Sequence, residues 1–269
     1  MDLAKLNDRG LVLVGAGKMG GALLDGWLAR GLDPASAHVI DPKPDPRWAA
    51  RGVNVNADPP ADPAVLVLAV KPQMMGDVLP TLAAWGQGRT LVVSVAAGTR
   101  IKTLESSFPA APIVRAMPNT PAAIGQGITA VAGNARADAA AMDLAAALMG
   151  AVGQVVQLDD EAQIDAVTGL SGSGPAYVFH LIEALAEAGV AVGLPADTAM
   201  TLARATVAGA GALALSGDET PAKLREAVTS PAGTTAAGLA VLMDPDAGLR
   251  PLIARTVAAA TDRARELAQ

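Results

Sequence analysis

The chain has 269 residues, 51% hydrophobic but only 2% aromatic, with 20 basic and 26 acidic side chains and a formal net charge of −6. That length supplies one large domain or two modest ones around an aliphatic core, and no basic run stands out to displace counterions from a nucleic acid. The lack of cysteine excludes disulfide and thiolate chemistry, and two distant histidines, His38 and His180, are too few for a transition-metal site.

The opening "MDLAKLNDRG" lacks the apolar region of a secretion signal, and no charge-free apolar stretch reaches membrane-spanning length. The expectation is a soluble, cytoplasmic protein without a metal, nucleic-acid or membrane partner. Strands are expected at 11–15, 37–41, 65–70, 90–95, 112–117, 127–132 and 152–157. The runs at 11, 65, 90 and 152 are nearly continuous in apolar residues, which fits strands covered on both faces. Helix-length stretches such as "KMGGALLDGWLARG" and "ARADAAAMDLAAALMGAV" lie between them. This alternation predicts an α/β, doubly wound Rossmann-type domain over residues 1–160.

After residue 160 the pattern turns helical, predicting an all-α domain over 161–269. Helix starts are marked by Pro175, Pro195, Pro221 and Pro231. The stretch 175–192 is apolar nearly all round and is expected to be buried. Roughly 110 helical residues make a marginal core alone, so this half is expected to bury its surplus against a second copy as a homodimer, or a higher oligomer.

"LVLVGAGKMGGALL" sets Gly15, Gly17 and Gly20 in a G-x-G-x-x-G between a strand and a helix. The first glycine allows the tight turn, the second lets a pyrophosphate approach backbone, and the third lets helix and strand pack closely. Asp41 ends the second strand. An acid there hydrogen-bonds a ribose 2′-hydroxyl and repels a 2′-phosphate, or it simply starts a turn before Pro42. Lys43 and Arg47 follow and could hold a phosphate, so NADH and NADPH both stay open. Lys71 and Pro72 follow one strand, and Met117, Pro118 and Asn119 another, at the carboxyl ends where such sheets bind ligands.

In "TSPAGTT", Ser230 before Pro231 reads as an ordinary helix cap. That does not account for Thr229, Thr234 and Thr235 in an Ala-rich setting. Hydroxyls and free N–H groups at a helix start suit a carboxylate without adding a counter-charge. A second cluster, "VTGLSGSGPAY", carries Thr168, Ser171 and Ser173. Reducing a ketone asks for a proton donor such as Lys, His or Tyr. Tyr177, His180 and Lys223 stand in no evident catalytic setting, whereas a cyclic imine protonated on nitrogen accepts hydride with little acid help.

The stretch 221–244, with "GAGKMG", "AVKP", "RAMPNTPA" and "VTGLSGSGPAY" in order, resembles the pyrroline-5-carboxylate reductases, which make L-proline from the cyclic imine. The resemblance spans essentially the whole chain. It implies a Rossmann domain, a helical domain that interlocks in a dimer, and NADPH or NADH as coenzyme. Carried over by motif, Gly15, Gly17, Met19 and Gly20 would meet the pyrophosphate, with Lys18 in the same turn. Lys71, Pro72, Ala96, Met117, Pro118 and Asn119 would line the nicotinamide side, and Ala69, Val70 and Asp41 complete the coenzyme set. Ser230, Gly233, Thr234 and Thr235 would hold the substrate carboxylate, and Thr168 would serve the ring nitrogen as hydrogen-bond partner or proton donor. Many members carry Asn-Arg or a Ser-containing turn where this chain has Asp41-Pro42. Two enzyme rivals are a related imine reductase and a β-hydroxyacid dehydrogenase. The second family's G-x-x-G-x-G-x-x-x-K pattern falls on Gly169, Gly172 and Gly174, but its lysine position is Val178. A dinucleotide-binding module without catalysis gives no reason for the hydroxyls at 229–235.

Overall fold

The computed structural model describes residues 6–268. The chain divides into two compact units, Met1–Gly172 with Ala260–Gln269, and Ser173–Ala259. The first is built on an eight-stranded sheet. Its strands are β1 (Leu11–Val14), β2 (Ala37–Ile40), β3 (Asn54–Val55), β4 (Val65–Leu68), β5 (Leu91–Ser94), β6 (Ile113–Met117), β7 (Gly127–Gly133) and β8 (Gly153–Gln157). They run in the order β3-β2-β1-β4-β5-β6-β7-β8. Pairing is parallel except between β6 and β7, which are antiparallel. The order reverses between β1 and β4, so the crevice where such sheets take ligands opens beside the glycine-rich turn.

Alternation of side chains across the pleat builds two apolar layers. Leu13, Val67 and Val93 pack with Leu23 and Trp27 of α1 (Lys18–Ala29), Trp48 of α2 (Arg47–Ala50) and Leu148 of α5 (Ala139–Met149). Leu66 and Val92 face the other way, against Leu79 of α3 (Met75–Leu82), Leu104 of α4 (Ile101–Ser107) and Phe108. The indole N–H of Trp27 donates to the Leu148 carbonyl at 2.9 Å, so this large ring is buried without an orphaned donor. The continuous apolar runs of β1, β4 and β5 are buried throughout, as expected. The run at 152–157 is not: β8 is an edge strand, half-buried or exposed along its length, because among the described residues it pairs with β7 alone. Strand β3, absent from the sequence reading, is two residues long, too short to carry a periodicity.

His38 lies on β2, with Nδ1 buried and unpartnered. Burial holds its pKa below the usual 6.5. The folded state therefore binds this proton less readily than the unfolded chain, so the neutral ring's contribution is intact above pH 6.5 and is lost as pH falls through the folded pKa. His38→Val should make the fall in Tm between pH 7.5 and pH 5.5 shallower than in the wild type; equal slopes in thermal melts would show that His38 is not coupled to folding.

The helical stretch begins with α6 (Gln163–Val167), followed by a π-helical turn over Thr168–Gly172. The second unit contains α7 (Gly174–Ala191), α8 (Ala196–Leu215), α9 (Pro221–Ala227), α10 (Thr234–Leu242) and the first part of α11 (Leu249–Leu267). Pro175 and Pro221 sit in first turns as predicted, but Pro195 is the residue before α8. Helices α7 and α8 pack through small residues: a Cβ on Gly189 would lie 3.1 Å from that of Ala199. The larger side chains are thereby turned outward. Contrary to expectation, 175–192 is not buried within the chain; Phe179 is 59% exposed, and Ala186 is the buried residue of α7. By length and composition α8 is long and apolar enough to cross a membrane, but it carries Asp197 and Arg204 and so is not a charge-free stretch.

Candidate functional site

Gly15 follows β1 with φ +91°, a left-handed conformation that costs any other residue. A Cβ on Gly20 would overlap the Gly15 carbonyl oxygen, and one on Gly15 would lie 2.8 Å from the Ala69 carbonyl. These two glycines let α1 start directly against β1 and β4. Gly17 is the N-cap residue of α1 with no side-chain cap, and nothing lies within 4 Å of where its Cβ would be. Gly17 and Lys18 are exposed and Met19 half-buried. This open, uncapped helix start is the shape and polarity a pyrophosphate needs.

Asp41 lies just beyond β2 and anchors that turn. Its Oδ2 accepts from the Ala16 N–H at 2.7 Å and its Oδ1 from the Lys43 N–H at 2.8 Å. The turn-starting reading is thus realised, while a carboxylate oxygen retains a second lone pair for a hydroxyl donor. Arg47 is committed: it pairs with Asp25 at 3.0 Å and Asp45 at 3.3 Å and lies 4.0 Å from the Trp48 ring centroid. Lys43 remains exposed.

The other expected coenzyme residues stand at the carboxyl ends of neighbouring strands. Ala69 and Val70 leave β4 half-buried, Lys71 and Pro72 are exposed, and Ala96 is buried beyond β5. Met117, the last residue of β6, and Asn119 beyond it are half-buried, and Pro118 between them is buried. The Asn119 amide donates to the Ser171 carbonyl at 3.2 Å, and its Oδ1 accepts from the Ile128 N–H at 3.0 Å. Asn119 therefore ties the end of β6 to the π-helical turn, and Met117 fills the space beside Gly172. Such π turns are frequent at functional sites.

A cavity of about 360 Å3 in the first unit is lined by residues that include Pro72, Ala97, Gly98, Arg115, Asp165 and Thr168. Thr168 donates its hydroxyl hydrogen to the Ile164 carbonyl at 2.8 Å, which leaves its oxygen lone pairs to accept. Arg115 and Asp165 were not foreseen from sequence. The available signal was an arginine inside the apolar strand "IVRAM", a charge that must find partners once buried.

In the second unit, the hydroxyl cluster folds differently from the sequence expectation. Helix α10 begins at Thr234 with Gly233 as its N-cap residue, not at Ser230-Pro231. Residues 230–233 form a turn closed by the Gly233 N–H on the Ser230 carbonyl at 3.1 Å. Ala232 there has φ +56°, an unfavourable conformation for alanine of the kind often kept at ligand sites. A Cβ on Gly233 would overlap Ser230 Oγ and force that hydroxyl to turn away. Ser230, Thr234 and Thr235 are exposed, and α10 has no side-chain cap. Thr229 leaves the cluster, since its hydroxyl donates to the Arg225 carbonyl at 2.6 Å. What remains is a helix start with unclaimed N–H groups and hydroxyls beside them, which suits a small carboxylate.

A parallel-dominated sheet with a dinucleotide-type glycine turn, followed by helices, defines an NAD(P)-type oxidoreductase with a helical second part. A family model for pyrroline-5-carboxylate reductase dimerisation matches residues 161–267, and one for NADP oxidoreductase, coenzyme F420-dependent, matches residues 11–98. The pyrroline-5-carboxylate reductase of Pseudomonas aeruginosa is 42% identical, over 96% of this chain and 97% of its own. The solved structure of the Coxiella burnetii pyrroline-5-carboxylate reductase covers 98% of this chain and 100% of its own, at 36% identity and a TM-score of 0.91. That of the Plasmodium falciparum pyrroline carboxylate reductase, with NADP bound, covers 98% and 100% at 26% identity and a TM-score of 0.82. The chain belongs to the pyrroline-5-carboxylate reductase family.

Proposed function

We propose that this chain reduces the C=N bond of 1-pyrroline-5-carboxylate to L-proline, the last step of proline biosynthesis, using NADPH or NADH. When bound, the reduced nicotinamide supplies the hydride. Gly15, Gly17, Lys18, Met19 and Gly20 take the pyrophosphate on the uncapped start of α1. Ala69, Val70, Lys71, Pro72, Ala96, Met117, Pro118 and Asn119 form the nicotinamide side. Ser230, Gly233, Thr234 and Thr235 hold the substrate carboxylate.

The observation that carries the reading is Thr168, half-buried on the same cavity wall as Pro72, with its hydroxyl hydrogen given to Ile164. Its free lone pairs accept the N–H of a protonated ring imine, so Thr168 orients the nitrogen and donates no proton. Hydride addition at the imine carbon breaks the C=N π bond and leaves its electron pair on nitrogen; the resulting amine then takes a proton from solvent. A ketone would instead develop an alkoxide, for which this wall offers no proton donor.

The outward apolar surface of α7 and α8 supports a homodimer in which a second copy covers it. A water-soluble substrate and coenzyme suit a cytoplasmic site. The test is nicotinamide oxidation with 1-pyrroline-5-carboxylate run beside an open-chain 3-oxo acid. Turnover of the imine alone supports the reading; turnover of the oxo acid alone overturns it.

Asp41 favours NADH, because a 2′-phosphate beside its carboxylate is repelled and Arg47 is already paired. Asp41→Ala should narrow the NADH-over-NADPH ratio of kcat/KM by about tenfold, roughly 1.4 kcal/mol of lost discrimination. It should also weaken both coenzymes by releasing the Ala16 N–H. A strong NADPH preference that survives the substitution would show that the acid takes no part.

A further inference from the structure

We propose that Arg115 and Asp165 form a recognition pair for the primary carboxamide on the nicotinamide ring, an assignment that rests on the coenzyme reading above. Arg115 projects from the middle of β6 with its side chain 4% exposed. Its Nη1 donates to Glu161 Oε1 at 2.9 Å, and the same oxygen accepts from the Ile101 N–H at 2.8 Å. Its Nη2 stands 3.9 Å from Asp165 Oδ1, beyond hydrogen-bond reach. The Asp165 side chain is 10% exposed, and its Oδ1 is buried without a hydrogen-bond partner.

A guanidinium donor and a carboxylate acceptor thus stand side by side on one cavity wall as a loose ion pair, without a hydrogen bond between them. Buried polar atoms are rarely left this way unless something else completes them. A carboxylate ligand would be repelled by Asp165, and an ammonium, which only donates, would leave the Arg115 donor unmet. A primary carboxamide suits both, because its carbonyl accepts while its NH2 donates from the same planar group. Pro72 and Ala97, which follow β4 and β5, share this wall, at the carboxyl ends where doubly wound sheets hold their coenzymes. Glu161 holds Arg115 in place through Nη1, leaving Nη2 to serve the ligand. Asp165 precedes Thr168 by one helical turn, so the residue proposed for the imine nitrogen and the one proposed for the carboxamide share a rigid support.

The test is a fluorescence titration of the intact protein with three probes: NADH, the reduced 3-acetylpyridine analogue and ADP-ribose. The analogue keeps the carbonyl but carries a methyl in place of the NH2. Wild-type protein should bind NADH about tenfold tighter than the analogue, the size of one hydrogen bond to a charged group. Asp165→Ala should reduce that ratio to within about twofold and leave the Kd for ADP-ribose unchanged. A tenfold ratio that persists in Asp165→Ala overturns the assignment, as does wild-type protein that does not discriminate, a comparison that needs no variant to fold. Failure of ADP-ribose to bind the wild type overturns the coenzyme reading itself. Imine turnover with no probe discrimination overturns the carboxamide pair alone.

Discussion

Thr235→Val is expected to raise KM for 1-pyrroline-5-carboxylate by about 10- to 100-fold while the Kd for coenzyme moves less than about twofold. A hydrogen bond to a charged group is worth about 1.5–3 kcal/mol, and about 1.4 kcal/mol is a factor of ten. Thr235 is exposed in the first turn of α10, where Gly233 supplies no side-chain cap. Valine keeps the branching and volume, so the helix start should survive and the missing hydroxyl is what the kinetics report. Initial-rate kinetics with a parallel coenzyme titration decide it. An unchanged KM would remove Thr235 from the carboxylate site and leave Ser230 and the backbone N–H groups to carry it.

Arg115→Met should lower the stability of the first unit by about 3–5 kcal/mol, because it leaves buried carboxylates without their cation. The lower end is the better figure, since the Glu161 side chain is 25% exposed and water can recover part of the loss. A Tm decrease on the order of 10 °C corresponds to that range for a unit of this size, measured by calorimetry. Double replacement by Arg115→Met and Asp165→Leu should recover part of the loss, as an apolar pair carries no desolvated charge. A Tm within about 2 °C of wild type for the single variant would mean that water reaches the cluster freely.

Much of the first unit was legible because its signals are local. The apolar runs at β1, β4 and β5 need cover on both faces, and the glycine turn after β1 has one steric explanation per glycine. The run at β8 misled because a short apolar stretch reads the same at a sheet edge as in its centre; only pairing distinguishes them. The start of α10 was misplaced because Ser-Pro is an excellent helix opening in isolation. Here the Pro231–Gly233 segment closes a turn first, a choice made by the Gly233 N–H bond to Ser230 and a left-handed Ala232. Thr229 and Thr168 illustrate a different blindness: sequence shows a hydroxyl but not whether its hydrogen is already spent on a carbonyl one turn back. The Arg115 cluster was hidden because its members lie 46 and 50 positions apart from Arg115 along the chain, and nothing local links them.

Helix α11 has a dual allegiance. Its first residues fall in Ser173–Ala259, while Ala260 onward belongs with the sheet. There Arg100 Nε donates to the Ala268 carbonyl at 2.9 Å, and Leu267 completes the wall that also carries Thr168. The coenzyme-type half is therefore discontinuous in the gene-encoded order and cannot be excised as one N-terminal fragment. Shortening the polypeptide at Ala259, or crowding its last turn with a bulky fusion, would unroof the Thr168 chamber even though every motif named here lies upstream of the cut.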